Sequence, residues 1–458
     1  MTTQQDLLVI PTDNSYNCLV KMRHENPNVT QPATSSSWDV LVIGGGPAGL
    51  MAAGQAAQAG LQVALLEKMD RPGRKLRITG KGRCNLTNAL PLEQFITHFG
   101  PNGRFLRAAF HQFFVHDLLA FFSALSIPTV TERGGRIFPV TNEASDVTEE
   151  LIAWTLRSGV KIINQCRAEA LVVHNQTIVG VRARVSGREA LQDFSSQAVV
   201  VSTGGASYPG TGSSGDGYHL ARTVGHTIIP VRPALVPLET AGDVAAHLQG
   251  LSLKNVRVTV WNDGRKVADQ FGEMLFTHFG VSGPIILTLS KSIVDALAQD
   301  HKIELHVDLK PALDDLKLDQ RLRRDFETHS KMQLKKILRS IMPQAMIPIC
   351  LRETGLNEEK PGNQITSQER LKLRLWLKNF KLGVAGHRPI AEAIITAGGV
   401  ALNEIDRNSL ESRLVKGLFF AGEVMDLDAD TGGFNLQAAF STGWLAGRSA
   451  ARKITLHS

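Results

Sequence analysis

The run Gly44-Gly45-Gly46-Pro47-Ala48-Gly49 restricts this chain more than any other feature, because it joins an apolar segment, Trp38 to Ile43, to an alanine-rich one, Pro47 to Ala59. A strand that turns at once into a helix leaves backbone N–H groups and the positive end of a helix dipole facing outward, which is an anion site. Gly44 allows the tight turn, Gly46 lets backbone approach a pyrophosphate, and Gly49 lets helix and strand pack closely. Pro47 sits in the first helical turn, where its missing donor costs nothing. A second apolar strand, Leu61 to Leu66, ends at Glu67-Lys68. An acid about 20 residues beyond the glycines accepts hydrogen bonds from the ribose hydroxyls and disfavours a 2′-phosphate. The unit is therefore βαβ, and its expected ligand is FAD or NAD rather than NADP.

The C-terminal part points to the flavin. Gly417 to Phe420 reads as a buried strand ending at Gly422-Glu423, and Thr431-Gly432-Gly433-Phe434-Asn435 opens an apolar helix. A second helix N-terminus at the carboxyl edge of the sheet suits the negative charge that develops on a reduced flavin, and NAD needs no such site. The same residues also read as a strand followed by a glycine capping turn. A second G-x-G-x-x-G match, Gly210 to Gly215, is discounted. Its strand, Ala198 to Val201, already stops at Gly204-Gly205, and the next acid after the proline-broken stretch is Glu239.

With 458 residues the chain is too long for one ordinary core. Residues 1 to 37 read as an N-terminal extension, 38 to 212 as the first part of an FAD-binding domain, 213 to 385 as an inserted β-rich and helical domain, and 386 to 458 as the second part. The last segment is too short to bury its own strand and helix, so the first and last parts should share one sheet. The fold class expected is α/β, a Rossmann-like FAD-binding domain carrying an insert. No stretch reaches the roughly 18 apolar residues of a spanning helix, and no leader is visible. A cytoplasmic protein without a membrane partner is expected. The four cysteines are far apart, which excludes a disulfide framework and CxxC chemistry, and neither pair of histidines spaced by five makes a metal site. The formal charge of +7 is concentrated only at Lys331 to Arg339 and Arg370 to Lys381, which read as solvated helix faces, so a nucleic-acid partner is not expected.

Several long motifs together resemble the BaiN/RdsA family of NAD(P)/FAD-dependent oxidoreductases, flavoproteins with the glutathione-reductase-like FAD fold. They are Gly44 to Gly49, Gly73 to Lys75 with Thr79 to Asn88, Gly204 to Tyr218, Leu275 to Pro284, Ile395 to Val400 and Phe420 to Gly443. The likeness spans about residues 38 to 450. It implies that Gly44, Gly45, Gly46, Pro47, Ala48 and Gly49 hold the pyrophosphate, and Glu67 with Lys68 the ribose. Lys75, Gly82, Arg83, Cys84 and Asn85 belong to the ribityl and flavin side. Ala168, Thr203, Gly204 and Gly205 line the adenosine end. Gly422 and Glu423 meet the ribityl chain, and Gly433, Phe434, Asn435 and Leu436 lie near the ring. It also implies a β-barrel-like insert, and departs from the pattern at Ala429, where glycine is expected.

The resemblance further implies that NAD(P)H, bound transiently, reduces FAD, which passes hydride to a small organic substrate, and it suggests a conjugated carbon–carbon double bond as the acceptor. A flavoprotein acting on RNA and a non-catalytic redox sensor are the rival readings. His278 is the expected proton donor, with Tyr208, Asp216 and His387 weaker candidates. Cys84 lies in a basic loop that could activate a thiol, but without a second cysteine its expected role is packing.

Overall fold

The computed structural model describes residues 37–456, so the expected N-terminal extension lies outside the described residues apart from Ser37. Strand β1 (Ser37–Ile43), helix α1 (Pro47–Gln58) and strand β2 (Val63–Leu66) form the βαβ unit that the glycine run requires. Their sheet runs in the order Lys161–Ile163, β2, β1, Gln192–Val201, Thr177–Val185, Cys166–His174, and Leu418–Phe420 pairs in parallel with Gln192–Val201. The first and last parts of the chain thus share one sheet.

Register decides what the sheet presents. Ile43 stands beside both Leu66 and Val201, and Phe420 beside Val201, so these parallel strands end level with one another. Their next residues, Gly44, Glu67, Ser202 and Ala421, emerge along one edge, the place where open parallel sheets bind ligands. Behind that edge, the long helix Phe434–Thr455 packs on α1 through glycines. A Cβ on Gly443 would stand 2.2 Å from the Ala48 carbonyl oxygen, and one on Gly447 2.2 Å from that of Ala52.

The insert is a closed six-stranded barrel. Strand Leu238–Thr240 pairs with both Gly280–Ser282 and Phe380–His387, and Arg265–Phe276, Ser252–Asn262 and Ile303–Asp308 complete the ring. Alternation fills it, with Val256, Val258 and Val260 facing Leu305 and Val307 inside. Helix Pro284–Leu297 and the helices between Asp315 and Lys378 extend this second core, which runs from Leu238 to Leu382. Tyr218, Leu220 and Ala221 belong instead to the larger core. The antiparallel pair Ile228–Ala234 and Ile395–Val400 carries the chain between the two regions. The basic helix faces are laced with ion pairs: Lys335 with Glu358, Lys360 with Glu369, Arg370 with Asp319 and Lys378 with Asp308.

Candidate functional site

Gly46 caps α1 in extended conformation and no side chain satisfies the helix's first N–H groups. A Cβ built on Gly46 meets nothing within 4 Å, so the helix N-terminus opens into free space. Gly44 has φ +101°, a left-handed conformation, and a Cβ on it would lie 2.7 Å from the Ser202 carbonyl oxygen. Glu67 locks this turn to the end of β2. Its two carboxylate oxygens accept from the Gly45 N–H at 2.7 Å and the Met69 N–H at 2.8 Å. Burial raises its pKa against the pull of these two donors.

Next to Glu67, Lys68 reaches Asp216 at 2.8 Å, and Arg167 reaches the same carboxylate at 2.9 Å. Burial would raise the Asp216 pKa, but the two cations hold it below the ordinary value. This bridge folds the Gly210 to Gly215 segment against the adenosine end. That segment follows a short turn, Pro209–Thr211, and opens helix Asp216–Thr223, so it is a wall of the first nucleotide site and no second βα turn.

Helix α2 (Arg74–Ile78) carries Lys75, whose Nζ donates to Ser207 Oγ at 2.7 Å and pairs with Glu423 at 3.0 Å. Glu423 also accepts the Thr396 N–H at 2.8 Å. Beyond α2 the loop turns sharply, with positive φ at Gly80, Lys81, Gly82 and Cys84. Arg83 is clamped by Glu132 and Asn142, its guanidinium 4.2 Å from the Phe138 ring centre. The Asn85 Oδ1 atom is buried without a partner. Cys84 is fully buried and its thiol is pushed up to about 12 by burial, so it is inert packing rather than a nucleophile.

The second helix N-terminus forms as the sequence suggested. Gly433, at φ +100°, caps Phe434–Thr455 without a side-chain bond, and a Cβ there would strike the Thr87 carbonyl oxygen at 2.4 Å. The Asn435 side chain holds the preceding loop by bonding both the N–H and the carbonyl of Ala429 at 2.9 Å. Phe434 turns away into the core, stacked 3.9 Å from the His98 ring.

These parts enclose one cavity of about 1170 Å³. Gly44 to Ala48, Glu67, Lys68, Lys75, Arg83, Asn85, Ala168, Thr203, Gly204, Gly422, Glu423, Gly433, Asn435 and Leu436 all line it. Gly49, Gly82, Cys84, Gly205 and Phe434 do not line it. His278 is exposed beside the Phe279 ring and is not part of the lining, nor is His387, whose Nδ1 bonds the Arg388 carbonyl; Tyr208 and Asp216 do line it. Sequence reasoning missed the far wall, Leu235, Pro237, Met274 and Leu287 from the insert side, and the pair Arg136 and Phe138. Arg136 reaches the site only because its strand pairs with Thr87–Asn88, a contact no local pattern announces.

The residues present fit FAD. Two uncapped helix N-termini, an acid at the ribose position and the orphaned Asn85 Oδ1 converge on a cavity somewhat above the usual 300–1,000 Å³ of small-molecule sites. Such a volume leaves room for a second molecule beside the cofactor.

Comparison with known proteins agrees with this geometry. The family model described as the HI0933-like protein Rossmann domain matches residues 38–449. The chain is 33% identical to a 3-dehydro-bile acid delta(4,6)-reductase of Clostridium scindens, over 90% of this chain and 98% of that protein. It is 29% identical to a ribosomal RNA dihydrouridine synthase of Escherichia coli, over 89% and 96%. The latter weakens the expectation against a nucleic-acid partner. Among solved structures, a 3-ketosteroid delta1-dehydrogenase from Sterolibacterium denitrificans shares the fold at TM-score 0.52 and 13% identity, covering 91% of this chain and all of that one.

Proposed function

The chain belongs to the HI0933-like Rossmann family, whose relatives are FAD-dependent oxidoreductases, and from that premise we propose that it reduces a carbon–carbon double bond conjugated to a carbonyl, with NAD(P)H as electron donor. The observation that carries this reading is the cavity itself, which joins a dinucleotide cradle to an apolar wall supplied by the insert side, Leu235, Pro237, Met274 and Leu287. FAD, when bound, supplies the hydride chemistry. The α1 N-terminus and Glu67 hold the pyrophosphate and ribose. Lys75 and Glu423 fix each other beside the ribityl position, and the N-terminus at Gly433 favours negative charge at the ring. The apolar wall keeps water from the reacting carbon.

His278 remains our proposed proton donor: it lies outside the lining, but its charge reaches Glu392, which does line the cavity and whose pKa is lowered chiefly by Arg388. Purified protein should carry flavin absorbance that NADH or NADPH bleaches and an added enone restores. Failure of every conjugated enone to restore it, in protein that NAD(P)H does bleach, would remove the reading. The second reading keeps the same bond class: the uracil ring also holds a double bond conjugated to a carbonyl, and two relatives are named ribosomal RNA dihydrouridine synthases. Tight RNA binding that falls steeply between two salt concentrations would favour it.

A further inference from the structure

Resting on the enone reading above, we propose that the cavity contains an anion-binding subsite, formed by Lys81 and Arg136 beside Phe138, that holds an anionic group of a small substrate whose apolar body lies on the insert wall. Most cations lining the cavity have partners. Lys68 and Arg167 share Asp216, Lys75 pairs with Glu423, and Arg83 with Glu132. Arg71 stands beside Pro72, whose ring packs on Gly45, so it belongs to the pyrophosphate end. Lys81 and Arg136 are different: both line the cavity with exposed side chains, neither makes an ion pair with a described residue, and Arg136 only adds to the field at Glu132, which Arg83 already pairs.

Arg136 and the turn that carries Lys81 both approach the Phe138 ring. The Arg136 guanidinium lies 6.0 Å from the Phe138 ring centre, and a Cβ on Gly80, the neighbour of Lys81, would lie 3.7 Å from the Phe138 edge. Lys81 is held there against its own preference. Its backbone is left-handed at φ 60° and ψ 42°, between glycines at φ 59° and 85°. The bonds from the Cys84 N–H to Thr79 at 3.1 Å and from the Arg83 N–H to Gly80 at 3.3 Å keep the turn closed. A lysine in such a conformation costs free energy that the surrounding fold must offset, which is the pattern of a residue placed for use. Glu273, which also lines the cavity, repels an anion and favours an orientation that keeps the anionic group away from it.

The experiment uses the FAD-loaded protein, the carboxylate 3-oxochol-4-en-24-oic acid and its methyl ester. Binding is followed by the change in flavin absorption, with NADPH-driven reduction measured in parallel. The wild type should bind the acid about tenfold more tightly than the ester, as expected for hydrogen bonds to a charged group, and the preference should shrink as salt rises. Lys81→Asn, which accepts the left-handed backbone, and Arg136→Gln should each reduce that ratio, and the double variant should bring it near one with flavin content as in the wild type. Equal affinity for acid and ester in the wild type, or a preference that survives the double variant, would overturn the subsite; reduction of the ester would still sustain the enone reading. Failure to bind either steroid, with tight and salt-sensitive binding of a uridine-containing RNA, would overturn the subsite in favour of a phosphate backbone.

Discussion

Gly46 and Gly49 sit three residues apart in the same motif, yet what surrounds their missing side chains differs. At Gly46 a side chain has open space and a backbone that any residue adopts, whereas a Cβ on Gly49 would stand 1.9 Å from the Gly44 carbonyl oxygen. Gly46→Val should therefore fold normally by circular dichroism while losing its yellow colour, because the valine fills the pyrophosphate's place. Gly49→Ala should lose about 1–3 kcal/mol of stability through overpacking, read as a lower unfolding midpoint. Glu67→Arg should lose FAD and also destabilise the apo-protein by about 1–3 kcal/mol, since it orphans the Gly45 and Met69 donors; retention of FAD with only an altered pyridine-nucleotide preference would refute the ligand assignment. The thiols offer a separate check. Burial pushes Cys84 and Cys350 up to about 12 and Cys166 to about 11, so none forms thiolate at pH 8. In a Cys18→Ser background the folded chain should resist iodoacetamide for hours at that pH and react on unfolding; rapid labelling of Cys84 would restore it as a nucleophile.

At the scale of elements, what was legible in the sequence was local. The strand, glycine turn, helix and acid of the first unit follow each other within thirty residues, and Thr431 to Asn435 announces its helix in the same way. The loop from Thr79 to Asn85 was legible as a motif but not as a shape, since its left-handed turns and its contact with Phe138 depend on strand pairing some fifty residues away. His278 was expected at the cavity because its flanks are apolar; its side chain is exposed and is not part of the lining. Nor did any pattern reveal how helix Pro284–Leu297 is fastened to the flavin side, where Lys291 meets the buried Asp428 at 2.8 Å and Thr288 faces Thr431. Burial raises the Asp428 pKa, with Lys291 opposing. The native state thus keeps a proton the unfolded chain has lost, and stability falls as pH rises from the ordinary carboxylate value to the raised one. Lys291→Met extends that window upward. The variant should lose about 1–2 kcal/mol at pH 8, less than a fully buried pair because the ammonium is partly exposed, and clearly less at pH 5. An equal loss at both, by thermal unfolding, would show that Asp428 carries no such charge.

On the scale of the whole molecule there are two large hydrophobic cores among the described residues, one around the dinucleotide sheet and one in the barrel and its helices, with two small clusters around Leu235 and Val236 at the crossing between them. The first was legible because strand and helix periods alternate within it. The second was legible only as a β-rich tract, since a ring that closes Leu238–Thr240 on Phe380–His387 joins strands nearly 150 residues apart. The two large cores, joined by the antiparallel pair Ile228–Ala234 and Ile395–Val400 and by the Lys291–Asp428 and Thr288–Thr431 contacts, should unfold in two steps. Added FAD should raise only the step belonging to the sheet, by about 2.7 kcal/mol at one hundred times its Kd, and a calorimetric trace in which both steps move together would contradict this separation. The pairing of Leu418–Phe420 with Gln192–Val201 also orders events in time. A chain made from its N-terminus folds domain by domain as it emerges. Here the ribosome must deliver the whole barrel before the residues that complete the sheet, Gly422, Glu423 and the helix at Gly433, leave the exit tunnel. The nascent chain therefore holds half a nucleotide site through most of its translation, and cofactor loading belongs to the moments after release.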